Sequence, residues 1–260
     1  MPAAARASRM AGVKGYDAMS YGEGFADVYD EWYEGVSSVT DTVTLLESLV
    51  PARPLRVLEL AVGTGRLALP LARRGHLVTG VDISPDMLAV LAANDPEGLV
   101  TVVIGDMVDA MPPGPFDVVL VAYNSLFMLT DPARQAACFS AVAGVLAPGG
   151  AFVVEAFVPS DPPRAGSDVA LRSMTASSVV LSVTMTDPLR QTVDGQHVEL
   201  RDGEPVRLRP YSLRYSTPDE LDTFAADAGL SLDRRLEDVA GEPFDPDASP
   251  RHVSVYRRPA

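Results

Sequence analysis

The sequence is poor in the side chains on which metal and disulfide chemistry rest. Its single cysteine, Cys138, cannot close an internal disulfide, which fits a reducing compartment. Its three histidines, His76, His197 and His252, are scattered with no second ligand at metal spacing, so a His/Cys metal site has no support. Lysine is almost missing: Lys14 is the only one, and 21 Lys and Arg residues face 35 Asp and Glu residues for a formal charge of −14. So acidic a surface repels phosphate backbones and anionic lipid, which excludes stable non-specific binding to nucleic acid or to a membrane surface unless a basic patch is present. The one local cluster, Arg207, Arg209 and Arg214, alternates with apolar residues as a strand does. Long apolar runs are missing too, since no window approaches the roughly eighteen apolar residues of a membrane span. Arg6, Arg9 and Lys14 are not followed by the apolar stretch of a signal peptide. The chain reads as a soluble cytoplasmic protein with a frayed tail over residues 1–14.

What is present is the material of a core. Hydrophobic residues fill 47% of the 260 positions and charged residues 22%, which excludes disorder as the main state and suits one large domain or two small ones. From residue 55 short apolar runs alternate with helical ones. LRVLELA (55–61), HLVTGVD (76–82), LVTVVIGD (99–106), FDVVLVAYN (116–124) and AFVVEAF (151–157) read as strands. Between them, 65–75 reads as a helix closed by Gly75. Residues 84–94 read as one capped by Ser84 with Pro85 at its first position, and 131–150 as one capped by Asp131 and closed by Pro148, Gly149 and Gly150. Strands that are apolar throughout need both faces covered, so the pattern predicts an α/β doubly wound fold with a parallel sheet. Ligands in such sheets bind outside the carboxyl ends of the strands.

Two stretches depart from the alternation. Residues 15–50 read as two helices, the first carrying Tyr21, Phe25, Tyr29 and Tyr33 at intervals of four. Residues 158–214 read as antiparallel strands over 177–185, 197–200 and 206–215, with Asp194–Gly195 as a hairpin turn. The chain then returns to a helix capped by Ser216 and two final strands.

The strongest chemical signal runs from Glu59 to Arg66. A strand ending in Gly63-x-Gly65 and leading into a helix lets the backbone approach a ligand and aims free N–H groups at it. Asp82, nineteen residues after Gly63, closes the second strand, where an acid accepts from both hydroxyls of a ribose. Together they point to a nucleoside-containing cofactor. The glycine loop alone also fits a dinucleotide, so it leaves the choice of cofactor open. Glu59 stands where dinucleotide folds favour an apolar residue, and Asp106 follows the third strand, where a carboxylate can accept from an adenine amino group.

With these residues in order, the sequence resembles the class I S-adenosylmethionine-dependent methyltransferases over essentially all of residues 21–258. ELAVGTGR resembles that family's first motif, and GVDIS, IGDM, FDVVLVAYNSLFML and LAPGGAFVVE resemble the four that follow. The resemblance implies a Rossmann-like, mostly parallel seven-stranded sheet in a single domain over 15–260, with a helical cap over 15–50 and an inserted antiparallel β lid over 158–214. It implies S-adenosyl-L-methionine as cofactor. Ala61, Gly63 and Gly65 would wrap its methionine part near Glu59 and the backbone of Ala122, and Asp82 would hold the ribose. Ile83 and Met87 would sandwich the adenine, with Asp106 and Met107 at its amino edge and Tyr21 and Tyr33 over the cofactor. The family often has glycine where Ala61 stands, so an ordinary negative φ is expected there.

Tyr21 to Asp30 is similar to the N-terminal helix of methyltransferases that act on amino sugars and other natural products, in which the tyrosine matching Tyr21 faces the reaction centre. The sugar enzymes carry a histidine after the fourth strand where this chain has Met128, so the acceptor stays open among amines, phenols and other small molecules. Tyr21, Tyr123 and Asn124 are the candidates to orient it, although a structural hydrogen bond is an equal reading of Tyr123 and Asn124. Trp32, Phe127, Met128 and Phe157 are candidates for an apolar acceptor pocket. Phe25 and Tyr29 read as core packing, His76 and Cys138 as structural, and Glu155 as a strand residue that binds backbone or arginine. A hydroxyl acceptor wants a base and an amine does not, which favours nitrogen. A small-molecule acceptor and a bacterial source fit this composition, and a homodimer is compatible with it. Two other readings stay open: a nicotinamide-dependent oxidoreductase, and a non-catalytic protein that binds the same cofactor.

Overall fold

The computed structural model describes residues 13–51, 53–160 and 165–260. The tail expected over 1–14 lies, as far as residue 12, outside the described residues. The five apolar runs form β1 (Arg56–Leu60), β2 (Leu77–Asp82), β3 (Val100–Ile104), β4 (Phe116–Val121) and β5 (Leu146–Phe157), all paired in parallel in the order β3-β2-β1-β4-β5. Two late strands, β10 (Ser231–Leu236) and β11 (Arg251–Arg257), extend the sheet antiparallel beyond β5 to seven strands. Side chains alternate across it. Val57 packs with Leu46, Leu71 and Leu91 on one face, and its neighbour Leu58 with Phe139, Phe152 and Tyr256 on the other. Both faces are thus buried along β1, β4 and most of β5, as the uninterrupted apolar runs require, whereas the edge strand β3 leaves Val102 and Ile104 exposed.

Helices cover those faces. On the first lie α3 (Val39–Leu49), α4 (Ala68–Arg73) and α5 (Pro85–Asn94); on the second lie α6 (Pro132–Val145) and α7 (Pro218–Asp227). Ser84 accepts from the Met87 N–H ahead of Pro85, and Asp131 accepts from the Ala133 N–H, as their positions predict. The stretch at 148–150 differs from expectation. It opens β5 instead of closing a helix, because Gly149 N–H donates to the Arg258 carbonyl and Gly150 accepts from the Arg258 N–H, which draws the segment into the sheet. Ser216 is not the cap of α7. Thr217 caps it in a reciprocal pair with Glu220, while Ser216 is fully buried and donates to Gln135 Oε1 at 2.6 Å.

The N-terminal aromatic stripe is likewise divided. One expected helix is two, α1 (Ser20–Phe25) and α2 (Tyr29–Tyr33), with Val28 outside helical geometry at φ −125°. The Gly24 carbonyl, which a continuous helix would use for the Val28 N–H, accepts instead from the Arg209 guanidinium. Arg209 belongs to the inserted segment, an antiparallel sheet of β6 (Gly166–Met174), β7 (Ser178–Asp187), β8 (Thr192–Arg201) and β9 (Arg207–Arg214). The hairpin turn expected at Asp194–Gly195 is absent, since both residues lie inside β8 and the turn falls at 188–191. Gly195 is there for space: a Cβ on it would stand 2.1 Å from the Tyr211 ring across the sheet. No helix among the described residues is long and apolar enough to cross a membrane.

A buried amide is one of the ties between the inserted sheet and the main domain, beside the contacts of Gln191 and Arg214 with Glu220 on α7. Gln135 Nε2 donates to the carbonyls of Leu129 (2.9 Å) and Arg214 (2.7 Å) while its oxygen accepts from Ser216. Gln135→Leu keeps the volume and strands these partners, so it should lower unfolding free energy by about 2–4 kcal/mol in urea denaturation. A change below about 1 kcal/mol would mean the knot is dispensable.

Candidate functional site

Three loops meet at the carboxyl ends of β1, β2 and β3, and Asp82 joins them. Its Oδ2 accepts from the Gly63 N–H at 2.8 Å, its Oδ1 from the Ser84 N–H at 2.8 Å, and its backbone carbonyl from the Gly105 N–H at 2.9 Å. The chain between β1 and α4 turns left-handed three times, at Ala61 (φ 54°), Gly63 (φ 56°) and Gly65 (φ 84°). The ordinary φ expected of Ala61 is therefore corrected: alanine stands in a glycine conformation, at a cost of about 1–2 kcal/mol. Gly63 has no atom within 4 Å of the place a Cβ would take, so this turn borders open space. Beneath it Glu59 is buried with Oε2 unpartnered. Burial pushes its carboxyl up to about 8, with Asp82 adding to the shift and Arg66 opposing it.

The end of β4 is also strained. Tyr123 and Asn124 both have positive φ, 43° and 65°. Glu155 on β5 holds them, accepting from the Tyr123 N–H through its carboxylate at 3.1 Å and from the Asn124 N–H through its carbonyl at 2.9 Å. Asn124 Oδ1 in turn accepts from the Phe157 N–H at 2.7 Å. Two consecutive left-handed residues that need this much support mark a position where geometry is set for a purpose other than stability.

Above these loops lies a cleft of two joined chambers, with volumes near 360 and 210 Å³, which share Ala18, Ala61, Asp82, Ile83, Met107 and Met128. The larger is bounded by Gly63, Tyr123 and Asn124 on the strand side, by Tyr21, Gly22, Tyr29 and Tyr33 of α1 and α2, and by Arg172, Ser182, His197, Tyr211 and Leu213 of the inserted sheet. The smaller extends past Gly105 and Asp106 to Leu129. The α1 helix seats itself against α5, because the position of a Cβ on Gly22 would overlap Ser84. Burial raises the phenols of Tyr21, Tyr29 and Tyr123 above their ordinary value, so all three stay neutral and serve as hydrogen-bonding groups.

The predicted residues converge in part. Tyr21, Tyr33, Ala61, Gly63, Asp82, Ile83, Met87, Met107, Tyr123, Asn124 and Met128 line the larger chamber, and Asp106 lines the smaller. Asp106 Oδ1 is already shared by the Val108 N–H (2.7 Å) and Arg134 (2.6 Å). Gly65 packs inward on Leu69 and Leu91, and Ala122 and Glu59 sit behind the wall. Phe127 is fully buried in the core with Phe157 against it at 5.3 Å, and Trp32 lies behind His197 at 5.8 Å, so these three are not on the cavity surface. His76 bridges the Leu55 N–H and Glu47, and Cys138 is enclosed in the core.

The inserted sheet supplies residues that motif reading does not reach. Cross-strand pairing puts Ser182, His197 and Arg209 side by side on its inner face, and Gly195 beside Tyr211. His197 therefore brings an imidazole into the chamber from a part of the chain far from the fourth strand. The signal was the alternation of the strands. Without their register, the inner face could not be told from the outer.

Comparisons with known proteins agree with this geometry. A family model described as "Methyltransferase domain" matches residues 57–150. The CcbJ methyltransferase from Streptomyces caelestis is 37% identical, with a TM-score of 0.86 over 94% of this chain and 100% of that one. The amino pentose methyltransferase CalS10 from Micromonospora echinaspora shares the fold at 21% identity and TM-score 0.68, over 89% of this chain and 96% of its own. A cypemycin N-terminal methyltransferase from Streptomyces sp is 31% identical over 61% of this chain, and the match spans 64% of that relative's length.

Two outcomes follow from the strained and buried groups. Ala61→Gly relieves a left-handed alanine and gives back part of the gain as unfolded-chain entropy, so thermal or urea unfolding should show stabilisation of about 0.5–1 kcal/mol. Glu59 holds its proton in the folded state to about pH 8 but loses it near its ordinary value when unfolded. Stability from this group is thus full below that ordinary value and is lost as pH rises toward 8. Glu59→Gln should unfold with a shallower decline over that window, and identical slopes would show that Glu59 ionises normally.

Proposed function

Because this chain belongs to the S-adenosylmethionine-dependent methyltransferases, we propose that it transfers a methyl group from S-adenosyl-L-methionine to a nitrogen, or else an oxygen, of a small-molecule acceptor in bacterial secondary metabolism. The observation that carries this reading is the continuity of the cleft. A nucleoside-sized chamber beside Asp106 opens at Asp82 into a wider, aromatic one.

The residues fit the cofactor. Asp82 spends one lone pair of each oxygen on a backbone N–H, which fixes the carboxylate and leaves its remaining lone pairs for ribose hydroxyls. Ile83, Met87 and Met107 give apolar surface for the adenine, and the partly used carboxylate of Asp106 is at its edge. The open side of Gly63 admits close approach of the methionine part, with the orphaned Glu59 oxygen below the turn. When bound, the cofactor supplies a methyl group already activated by its sulfonium. What the protein adds is position and exclusion of water, and holding an acceptor at near-attack geometry contributes roughly 7–11 kcal/mol in favourable cases.

Tyr21 and Tyr123 orient the acceptor in this reading, and Asn124 acts as a positioning residue through its bond to the Phe157 N–H. Neutral phenols and an imidazole held down to about 4 make poor bases, which supports an amine that has lost its proton before it enters. The relative named as a cypemycin N-terminal methyltransferase points the same way. The single cysteine and the Streptomyces relatives support a cytoplasmic, bacterial protein. Exposed Val169, Leu171 and Leu208 support a homodimer, as apolar patches of this kind are usually covered.

Asp82→Ala should weaken S-adenosylhomocysteine binding by roughly 30-fold or more in calorimetry, the loss of about 2 kcal/mol of charge-assisted hydrogen bonding. Unchanged affinity would overturn the reading.

A further inference from the structure

The arginines of the inserted sheet are paired with one exception. Arg190 has Asp187, Arg201 has Glu199, Arg207 has Asp27, Arg209 has both Asp27 and Glu199, and Arg214 has Glu220. Arg172 is exposed and makes no ion pair among the described residues, although it stands in the wall of the larger chamber. Its guanidinium lies over the rings of Trp32 (5.2 Å) and Tyr33 (5.1 Å), and one nitrogen donates to the Trp32 carbonyl at 3.2 Å. Two aromatic faces thus fix its plane, while most of its five donors have no partner in the protein. A β-bulge places it there: Leu171 pairs with Leu181 and Ser173 with Val180, so Arg172 is the extra residue, and bulges re-aim side chains in this way.

A second incomplete group borders the same chamber. His197 is 6% exposed, its Nδ1 is buried without a partner, and neither ring nitrogen makes a hydrogen bond within the protein. The ring is packed by Phe25 (5.7 Å), Trp32 (5.8 Å) and Tyr211 (5.2 Å), so its orientation is set. Buried polar groups are rarely left unmatched, and those that are ask for a missing partner. Burial, reinforced by Arg172 and Arg209, keeps this imidazole neutral at pH 7. Asp82 is the only acid lining the chamber among the described residues.

We propose that this wall is a subsite for an oxyanion carried by the methyl acceptor, a carboxylate or a phosphate, gripped by Arg172 with an N–H of His197 beside it. An oxyanion matches the planar donor fork of the guanidinium, supplies the acceptor that an imidazole N–H lacks, and neutralises the one uncompensated cation of the sheet. The subsite fixes the far end of the acceptor, so that its nucleophilic atom faces the strand ends. The proposal rests on reading the cleft as a methyl-transfer site. The cofactor's own carboxylate is the rival occupant, and Arg66, which faces Glu59 and donates to the Ser37 carbonyl at 3.3 Å, is the guanidinium on the glycine-loop side.

The test is a titration of the S-adenosylhomocysteine-loaded protein with sodium acetate and, in a parallel arm, inorganic phosphate, followed on the Arg172 Nε–H and His197 ring resonances. Saturable shifts at both residues are expected, and Arg172→Met should raise the dissociation constant at least tenfold while S-adenosylhomocysteine affinity stays within twofold. The arm that saturates at lower concentration identifies carboxylate or phosphate. Three results overturn the proposal: no saturation with either anion, unchanged anion binding in Arg172→Met, or loss of S-adenosylhomocysteine affinity in that variant, which would give Arg172 to the cofactor. Failure of the wild-type protein to bind S-adenosylhomocysteine strikes the methyl-transfer reading instead, and the subsite falls with it.

Discussion

The carboxylate of Asp82 is the constraint on which the site depends. Its two oxygens accept from the Gly63 and Ser84 N–H groups, and the backbone carbonyl of the same residue accepts from the Gly105 N–H, so three strand ends meet at this position. Burial raises its own protonation midpoint, while the Ser84 and Gly63 N–H groups oppose that rise. The backbone that this carboxylate organises thus favours the charged form that burial disfavours. The left-handed turn at Ala61 and Gly63, the start of α5 and the descent from β3 are held in one register by this residue, and the cleft exists because they are.

A second buried charge organises the opposite wall. Arg209, with its side chain almost wholly enclosed, reaches Glu199 on its own sheet, Asp27 beyond α1 and the Gly24 carbonyl, and lies over Trp32 at 5.2 Å. A buried ion pair of this kind is weak evidence for stability and better evidence for geometry. It breaks the aromatic stripe into α1 and α2 and ties both to the inserted sheet. The α2 helix is joined to the glycine loop in turn, where Thr64 donates to Asp30 at 2.5 Å. The N-terminal helices are thus tied to the inserted sheet through Arg209, and to the main domain through Thr64 and through the packing of Phe25 and Tyr33 on Met87.

Much of this was legible in the sequence, for reasons that residues make plain. Uninterrupted runs such as Val118–Val121 require two covered faces, which forces the layered sheet, and Ser84-Pro85 and Asp131-Pro132 announce helix starts through local hydrogen bonds. Gly63 and Asp82 were readable because their roles depend on a spacing within one βαβ unit. What escaped depends on contacts across long separations. Arg209 interrupts a helix 185 residues away, Tyr211 requires a glycine on the neighbouring strand, and Arg258 recruits Gly149 and Gly150 into β5. Phe127 and Phe157 were expected at the acceptor pocket on composition, yet an aromatic residue serves a core as well as a cavity, and here they serve the core. Strand register brings His197 to the chamber, and a bulge in β6 brings Arg172.

Gly195 has a consequence for the shape of the larger chamber. Because that position has no side chain, the Tyr211 ring lies down across β8 and the chamber keeps its depth. A single methyl group at 195 would stand 2.1 Å from the ring and force it to move within the chamber wall. The shape of the chamber thus depends in part on a residue that does not line it, and a comparison confined to the lining residues would overlook it.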